Sequence, residues 1–186
     1  MSLLNVIRHS PFVIRHTAAS PMLYSIADLN QMSQSDFVAA LGAVFEETPA
    51  IAQKAWDQHP FTDQDDLHQK MVRVVNGLSH ADQRSLIQAH PDLGSKAKMA
   101  EASVEEQAGI GLDRLTASEY DRFHQLNQAY KNQFGFPFII AVKNHTKASI
   151  LQAFEQRLKN DADAECQQAL SEIIDIARFR LHSLIH

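Results

Sequence analysis

Apolar side chains recur at every third or fourth position along most of the chain, which is the spacing of helices that each bury one face. The stretch from Leu67 to Leu78 is a clear case, with apolar residues at positions 67, 71, 74, 75 and 78. Comparable stripes run through residues 116–134, 146–158 and 170–184. Hardly any stretch has the apolar–polar alternation of a strand. The pattern therefore predicts an all-α fold, a single-domain bundle of about seven to nine helices joined by short connections.

Serine and threonine residues mark where several of these helices are expected to begin. Ser79 and Thr116 each precede an acidic residue by three positions, which is the capping-box pattern. Ser35 is expected to cap an earlier helix whose inner face extends to Phe45. Ser103 and Glu106 have the same spacing, so a capping box is one interpretation of that pair as well.

The segment FGFPFIIAVK, at residues 134–143, interrupts the helical pattern. It is rich in large apolar residues, but Gly135 and Pro137 exclude a continuous helix. The sequence thus predicts one buried extended segment, 134–143, inside a helical protein. Buried main-chain N–H and C=O groups need hydrogen-bond partners, and a ligand could supply some of them.

Composition excludes several classes of function. The 186 residues carry 17 Lys and Arg against 22 Asp and Glu, a net charge of −5, with no basic stripe that would predict a nucleic-acid partner. No apolar run approaches the roughly 18 residues of a membrane span.

Cys166 is the single cysteine, so no disulfide framework is expected and a reducing compartment is favoured. The final residues SLIH are not a peroxisomal signal, and cytoplasmic localisation is expected.

The first 27 residues differ from the rest of the chain. No acidic residue occurs before Asp28, whereas Arg8 and Arg15 are present and VIRH occurs twice. We interpret residues 1–27 as a non-essential extension or a start-site artefact, with a transit peptide as the alternative. The functional domain is expected to comprise residues 28–186.

Ten histidines raise the question of a metal site. The sequence contains no H-E-x-x-H motif, and its one His pair at i, i+4 is His182 with His186, at the end of the chain. Two carboxylate–imidazole pairs at i, i+3 are of a kind that arises often by chance in a His-rich chain. No metal site is predicted, and no glycine-rich loop of the dinucleotide-binding type is present.

His90 stands at a boundary, because Pro91 disfavours the helical conformation at the residue before it. One interpretation is a helix-terminal histidine that binds the last carbonyls of its helix. The other is an acid or base that points into a pocket.

Arg180 lies at the edge of the apolar stripe in the last helix. Its guanidinium could extend outward to solvent or reach inward to hold a carboxylate. The neighbouring Phe179 faces away from the stripe and suggests a second packed surface, such as a subunit interface.

Four stretches, taken together, resemble one enzyme family. They are HPDLGSKA at 90–97, ASVEEQAGIGL at 102–112, LNQAYKNQFGFPFIIAV at 126–142 and ARFRL at 177–181. In this order and with compatible spacing they are similar to the 2-oxo-4-hydroxy-4-carboxy-5-ureidoimidazoline (OHCU) decarboxylases of urate degradation, a part of purine catabolism. The resemblance runs from about Leu29 to Leu184, and the aromatic-rich FGFPF makes it specific.

The resemblance implies an all-α, cofactor-free carboxy-lyase, usually a homodimer, that converts OHCU to (S)-allantoin with loss of carbon dioxide. His90 would be the proton donor and Glu106 its catalytic partner. The implied substrate-binding residues are Pro91, Ser103, Gln107, Arg180 and, through their main chains, Phe138, Ile140 and Val142.

The chemistry of OHCU fits a protein without a cofactor. Its hydroxyl and carboxylate share one ring carbon, next to a ring C=N bond that can accept the electrons released by decarboxylation. His90 and Glu106 are expected to handle the proton and the hydroxyl, and Arg180 to clamp the ureido oxygen or the anionic ring. Whether Lys96 or Lys98 approaches the substrate stays open. An inactive helical binding module and a metal-dependent hydrolase are the alternative classes of function.

Overall fold

Nine α-helices make up most of the described chain. A computed structural model describes residues 23–94 and 101–186, except for the side chains of 101–103 and 105. The helices are α1 (Ile26–Gln31), α2 (Gln34–Leu41), α3 (Ala50–Trp56), α4 (Gln64–Asn76), α5 (His80–Gln88), α6 (Glu101–Gly109), α7 (Ala117–Phe134), α8 (Lys147–Arg157) and α9 (Ala162–Leu184). Two 3₁₀ turns, Leu112–Arg114 and Val142–Asn144, interrupt the connections. The prediction of an all-α bundle is confirmed.

The long helix α9 packs against α4 and α5, and it contributes a continuous row of side chains to one hydrophobic core. Ile173, Ala177 and Leu181 of α9 are all at most 1% exposed. Burying aliphatic and aromatic side chains of this size is worth about 1.5–3 kcal/mol each, which accounts for a core that needs no cross-link. Among the described residues, no helix combines the length and the apolar character needed to cross a bilayer.

Both ends of the described chain meet beside the core. The N–H of Tyr24 donates to the carbonyl of Leu184 at 2.8 Å, and the N–H of His186 donates to the carbonyl of Tyr24 at 3.1 Å. These bonds form an isolated parallel bridge between Tyr24 and Ile185. The predicted extension therefore lies partly within this folded unit, at residues 24–27, while residues 1–22 are outside the described range.

Local capping patterns located several helix starts. Ser79 caps α5 and Thr116 caps α7, and Thr116 forms a complete capping box with Glu119. The expectation for Ser35 is wrong, because α2 begins after Ser33, whose hydroxyl accepts the N–H of Asp36 at 3.2 Å. The helix then ends at Leu41, and the buried Phe45 lies in the turn that follows. That turn preserves a helix-like spacing of apolar residues, so the spacing does not show where the helix ends.

The capping-box interpretation of Ser103 and Glu106 is also wrong. Both residues lie inside α6, which begins at Glu101. A capping residue must precede the first helical residue, so Ser103 cannot have that role. Glu106 therefore has a role other than in a capping box with Ser103.

The non-helical segment is shorter than predicted. Phe134 is still the last residue of α7, and Gly135 ends that helix with a φ of 74°, a conformation that favours glycine. Residues 136–141, called the wall segment from this point, are neither helix nor strand and are all buried. Val142 begins a 3₁₀ turn.

Candidate active site

One pocket forms where the end of α5, the helix α6, the wall segment and α9 meet. Eight of the nine residues singled out from the sequence line it. They are His90, Pro91, Glu106, Gln107, Phe138, Ile140, Val142 and Arg180. The side chain of the ninth, Ser103, and the whole of Lys96 and Lys98 are outside the described residues. Leu93, Ile139 and Ile176 complete the lining with apolar surface.

His90 has one ring nitrogen bound to its own helix and one left to the pocket. Its Nδ1 lies 3.0 Å from the carbonyl oxygen of Leu86, which can only accept, so Nδ1 carries the hydrogen. The buried Nε2 has no hydrogen-bond partner among the described residues. Both interpretations of His90 therefore apply to the same ring: it binds a carbonyl of the last helical turn and also aims a lone pair into a cavity.

Burial sets the protonation state of this ring. Desolvation of the buried imidazole lowers the pKa of His90 to about 4, although the Leu86 carbonyl and the charge of Glu46 act in the opposite direction. The positive charge of Arg180 lowers the pKa of His90 further. At neutral pH the imidazole is uncharged, and its Nε2 is a proton acceptor.

This depressed pKa predicts a pH dependence of stability. Between pH values of about 4 and 6.5 the unfolded chain binds a proton at His90 that the folded protein does not, so the free energy of unfolding should rise with pH across that window. The expected contribution is about 3 kcal/mol. Urea unfolding of the parent and of a His90→Asn variant at several pH values measures it, because only the parent has this titration. Parallel pH curves for the two proteins would contradict the assignment.

Arg180 reaches inward from α9 and is 4% exposed. Its Nε and Nη2 donate to the two oxygens of Glu106 at 3.2 and 3.1 Å, a two-pronged contact. Its Nη1 donates to Glu46 at 2.9 Å and to the carbonyl of Val44 at 3.3 Å. Burial alone would lower the pKa of Arg180, but the two carboxylates raise it above its ordinary value. The outward orientation of the Arg180 guanidinium is thus wrong. The guanidinium points inward, and the carboxylates that it holds belong to the protein.

Glu46 is a site residue that sequence reasoning missed. It is 3% exposed and lies in the turn after α2 with a φ of 50°, which is uncommon for a residue with a side chain. Its carboxylate binds Arg180, 134 positions further along the chain. The neighbouring Glu47 is exposed, and nothing in the local pattern FEETP separates the two glutamates. Only the tertiary structure identifies the buried one.

Two alternate residues of the wall segment, Ile139 and Ala141, form main-chain hydrogen bonds to side chains. Arg157 donates to the carbonyl of Ile139 at 2.6 Å, and the N–H of Ala141 donates to Glu172 at 2.8 Å. The main-chain groups of Phe138 and Ile140 form no hydrogen bond among the described residues. In an extended chain, successive residues point their main-chain groups to opposite sides. The groups of 138 and 140 are thus left on the side away from Arg157 and Glu172.

Gln107 connects α6 to the turn after Pro91. Its Oε1 accepts the N–H of Gly94 at 2.9 Å, which fixes the chain just past His90. Together the lining offers a proton acceptor, a guanidinium held between two carboxylates and main-chain amide groups. Among the described residues, no cluster of three or more His, Cys, Asp or Glu side chains has a geometry suited to a metal ion.

Comparison with known proteins identifies a family for this arrangement. A family model described as OHCU decarboxylase matches residues 30–182. A 2-oxo-4-hydroxy-4-carboxy-5-ureidoimidazoline decarboxylase of Halalkalicoccus jeotgali is 44% identical over 160 residues, which are 86% of this chain and 91% of that protein. The uric acid degradation bifunctional protein PucL of Bacillus subtilis is 44% identical over 163 residues, but the match spans only 33% of its length.

Two solved structures have a similar fold. A crystal structure of (S)-allantoin synthase matches with a TM-score of 0.72 and 30% identity, covering 87% of this chain and 54% of that one. A crystal structure of OHCU decarboxylase in the presence of (S)-allantoin matches with a TM-score of 0.64 and 25% identity, covering 76% of this chain and 94% of that one.

Proposed function

The chain belongs to the OHCU decarboxylase family, and from this premise we propose that its pocket around His90 converts OHCU to (S)-allantoin in urate catabolism. The observation that carries the proposal is the convergence of eight residues, selected from four separate stretches of sequence, on one pocket.

The reaction balances without an electron-accepting cofactor. The bond between the ring carbon and the carboxylate breaks, carbon dioxide leaves, and the electron pair moves toward the adjacent ring C=N, whose nitrogen takes up a proton. The resulting enol then loses its hydroxyl proton and gains a proton at the neighbouring carbon, which gives the carbonyl of allantoin. The carboxylate anion of OHCU therefore consumes one proton in total. The face on which the carbon is protonated sets the handedness of the product.

His90 is placed to move that proton. Its neutral Nε2 can accept the hydroxyl hydrogen of OHCU, and the imidazolium so formed is the proton donor to the neighbouring carbon. This order reconciles a donor role with a resting state that has no proton on Nε2. Glu106 holds the substrate hydroxyl or shares its proton, and the two-pronged contact with Arg180 fixes its orientation.

Arg180 supplies positive charge to a pocket that must accept an anion. It lines the cavity while it holds Glu46 and Glu106, so it faces the ureido oxygen or the anionic ring from a fixed position. A guanidinium held by several hydrogen bonds needs little reorganisation when a charged ligand arrives.

The wall segment recognises the amides of the substrate. The main chains of Phe138 and Ile140 offer donors and acceptors on the pocket side, as a strand would offer to a neighbouring strand. Val142 and Pro91 add apolar contacts at the edges of the pocket. Ser103 and Gln107 on α6 are assigned to substrate binding together with Glu106.

The handedness of the product tests the proposed function. Because OHCU decays without a catalyst to racemic allantoin, we expect the protein to accelerate the decay and to yield (S)-allantoin alone, as measured by circular dichroism of the product. Racemic product at the spontaneous rate would favour the binding module. Activity lost on chelation and restored by a metal would favour the hydrolase.

Three further assignments belong to the proposal and rest on the sequence and the family resemblance. The protein is a homodimer located in the cytoplasm. Catalysis belongs to residues 28–186, and residues 1–27 are dispensable for the chemistry, although Tyr24 pairs with the end of the chain in the folded unit. None of the steps at His90 or Glu106 depends on these assignments.

A further inference from the structure

A second group of charged side chains lies behind the wall segment and does not line the pocket. Arg157 is the last residue of α8, and Glu165 and Glu172 are two turns apart on α9. Arg157 is 8% exposed and Glu165 is fully buried. Charged side chains are seldom buried unless they are paired and hydrogen-bonded, so the arrangement needs a reason.

We propose that Arg157 and Glu172 are positioning residues for the decarboxylation. They hold the carbonyl of Ile139 and the N–H of Ala141 from behind, and they thereby present the intervening main-chain groups to the substrate. The inference rests on the proposed function of the pocket, because it concerns how that pocket recognises its ligand.

The pattern of bonds along the wall segment carries the first step. Arg157 Nη1 lies 2.6 Å from the Ile139 carbonyl, and Glu172 Oε2 lies 2.8 Å from the Ala141 nitrogen. Both bonded groups belong to odd-numbered residues, whereas the main-chain groups of the even-numbered Phe138 and Ile140 form no hydrogen bond among the described residues. All three residues from Phe138 to Ile140 contribute to the pocket lining. Fixing two alternate residues of a non-helical chain determines which way the residue between them faces.

The main-chain groups of Ile140 need a fixed orientation if they are to bind a ligand. Buried main-chain groups without partners would otherwise shift until they found some, and Ile140 is only 3% exposed. Because Ile139 and Ala141 are hydrogen-bonded to Arg157 and Glu172, the segment cannot rotate the main-chain groups of Ile140 toward the core. A donor and an acceptor held in place bind a flat, amide-rich ligand without paying for rearrangement.

Several hydrogen bonds hold the pair of Arg157 and Glu165 in place. Glu165 accepts from Arg157 Nε at 2.7 Å and from Asn160 at 2.8 Å, and it also accepts from the hydroxyl of Tyr130. Burial and the contact with Glu165 raise the pKa of Tyr130, so its hydroxyl keeps the proton that it donates. Arg157 is therefore anchored on the side opposite the wall segment.

Arg157 also fixes an aromatic ring of the segment. Its guanidinium carbon lies 4.4 Å from the ring centroid of Phe138, within the range of a cation–π contact. The same ring stacks on Phe154 of α8 at 3.7 Å between centroids and meets the ring of Tyr130 edge-on at 5.1 Å. One arginine thus constrains both the main chain at Ile139 and the side chain at Phe138.

Two substitutions at Glu172 distinguish the loss of its hydrogen bond to the Ala141 N–H from the loss of its negative charge. Glu172→Ala removes the acceptor for the Ala141 N–H, whereas Glu172→Gln keeps an oxygen in its place. We expect Glu172→Ala to raise KM for OHCU about tenfold with a smaller change in kcat, since one partly buried hydrogen bond is lost and the ligand contacts move. Glu172→Gln should stay within about threefold of the parent. Asp175→Ala is the matched control, because it removes a carboxylate of α9 whose side-chain partner among the described residues is the exposed Arg178.

Amide hydrogen exchange at Ala141 gives a reading that does not depend on activity. The amide should exchange slowly in the parent and in Glu172→Gln, and fast in Glu172→Ala. Slow exchange in Glu172→Ala, an unchanged KM, or a Glu172→Gln variant as impaired as Glu172→Ala would each overturn the inference. Parent protein that yields racemic allantoin at the spontaneous rate would instead refute the proposed function, and the exchange data would still decide whether Glu172 holds the segment.

Discussion

Replacing His90 by asparagine should slow the formation of (S)-allantoin by roughly 10²- to 10⁴-fold, while the helical fold is retained. Asparagine can still donate from its amide to the Leu86 carbonyl, which Nδ1 binds at 3.0 Å in the parent. It has no group that can accept a proton and return it at neutral pH. The loss should therefore fall on kcat, as measured by single-turnover kinetics with freshly generated OHCU, and the far-ultraviolet circular dichroism should be unchanged.

His68 provides the matched control for that experiment. Its Nε2 also lies 3.0 Å from a main-chain carbonyl, that of Ile174, but the residue is not part of the pocket lining. His68→Asn should keep nearly the activity of the parent. A His90→Asn variant as fast as the parent would remove His90 from the mechanism, and equal losses in both variants would point to a general effect of replacing a carbonyl-bound histidine.

Replacing Arg180 by methionine should lower the free energy of unfolding at neutral pH by about 3–5 kcal/mol, a larger loss of stability than we expect from any other substitution named for this protein. The reason is that Glu46 and Glu106 share this one guanidinium, and both would be left without it in a buried site. Urea unfolding at pH 7.5 measures the loss.

Two further substitutions sharpen the test of Arg180. Arg178→Met removes an exposed pair with Asp175 on the same helix, and it should change stability by no more than about 0.5 kcal/mol. Arg180→Lys keeps the charge but cannot reproduce the two-pronged contact with Glu106, so we expect a raised KM with a smaller stability loss. Unfolding of Arg180→Met within about 1 kcal/mol of the parent would show that other groups neutralise the two glutamates.

Short-range patterns account for what the sequence predicted well. Ser79 and Thr116 mark real helix starts because a cap and its partner are only three residues apart, so the interaction is fully local. Ser35 is not the cap of α2, which begins after Ser33, and the apolar spacing up to Phe45 continues past the end of the helix through a turn. A periodic pattern does not distinguish a helix from a turn that buries the same positions.

Features that depend on distant contacts were not predictable from the pattern of the chain. Glu46 is buried because Arg180 lies beside it, and Glu165 is buried because Arg157, Tyr130 and Asn160 surround it. The local pattern draws attention to His90, which precedes Pro91, and to Arg180, at the edge of an apolar stripe, whereas the resemblance to a family implies the other pocket residues and the role of each. Their convergence in space depends on α9, α6 and the wall segment meeting, which only the folded structure shows.

The bridge between Tyr24 and Ile185 makes the domain suitable for reuse as a module. The first and last parts of the region that follows residue 22 lie side by side, with the Tyr24 nitrogen 2.8 Å from the Leu184 oxygen. A unit with neighbouring ends can be grafted onto another protein at either end, or inserted into a loop of one, without stretching its interior. In the Bacillus subtilis relative, the matched region is about a third of a longer, bifunctional polypeptide.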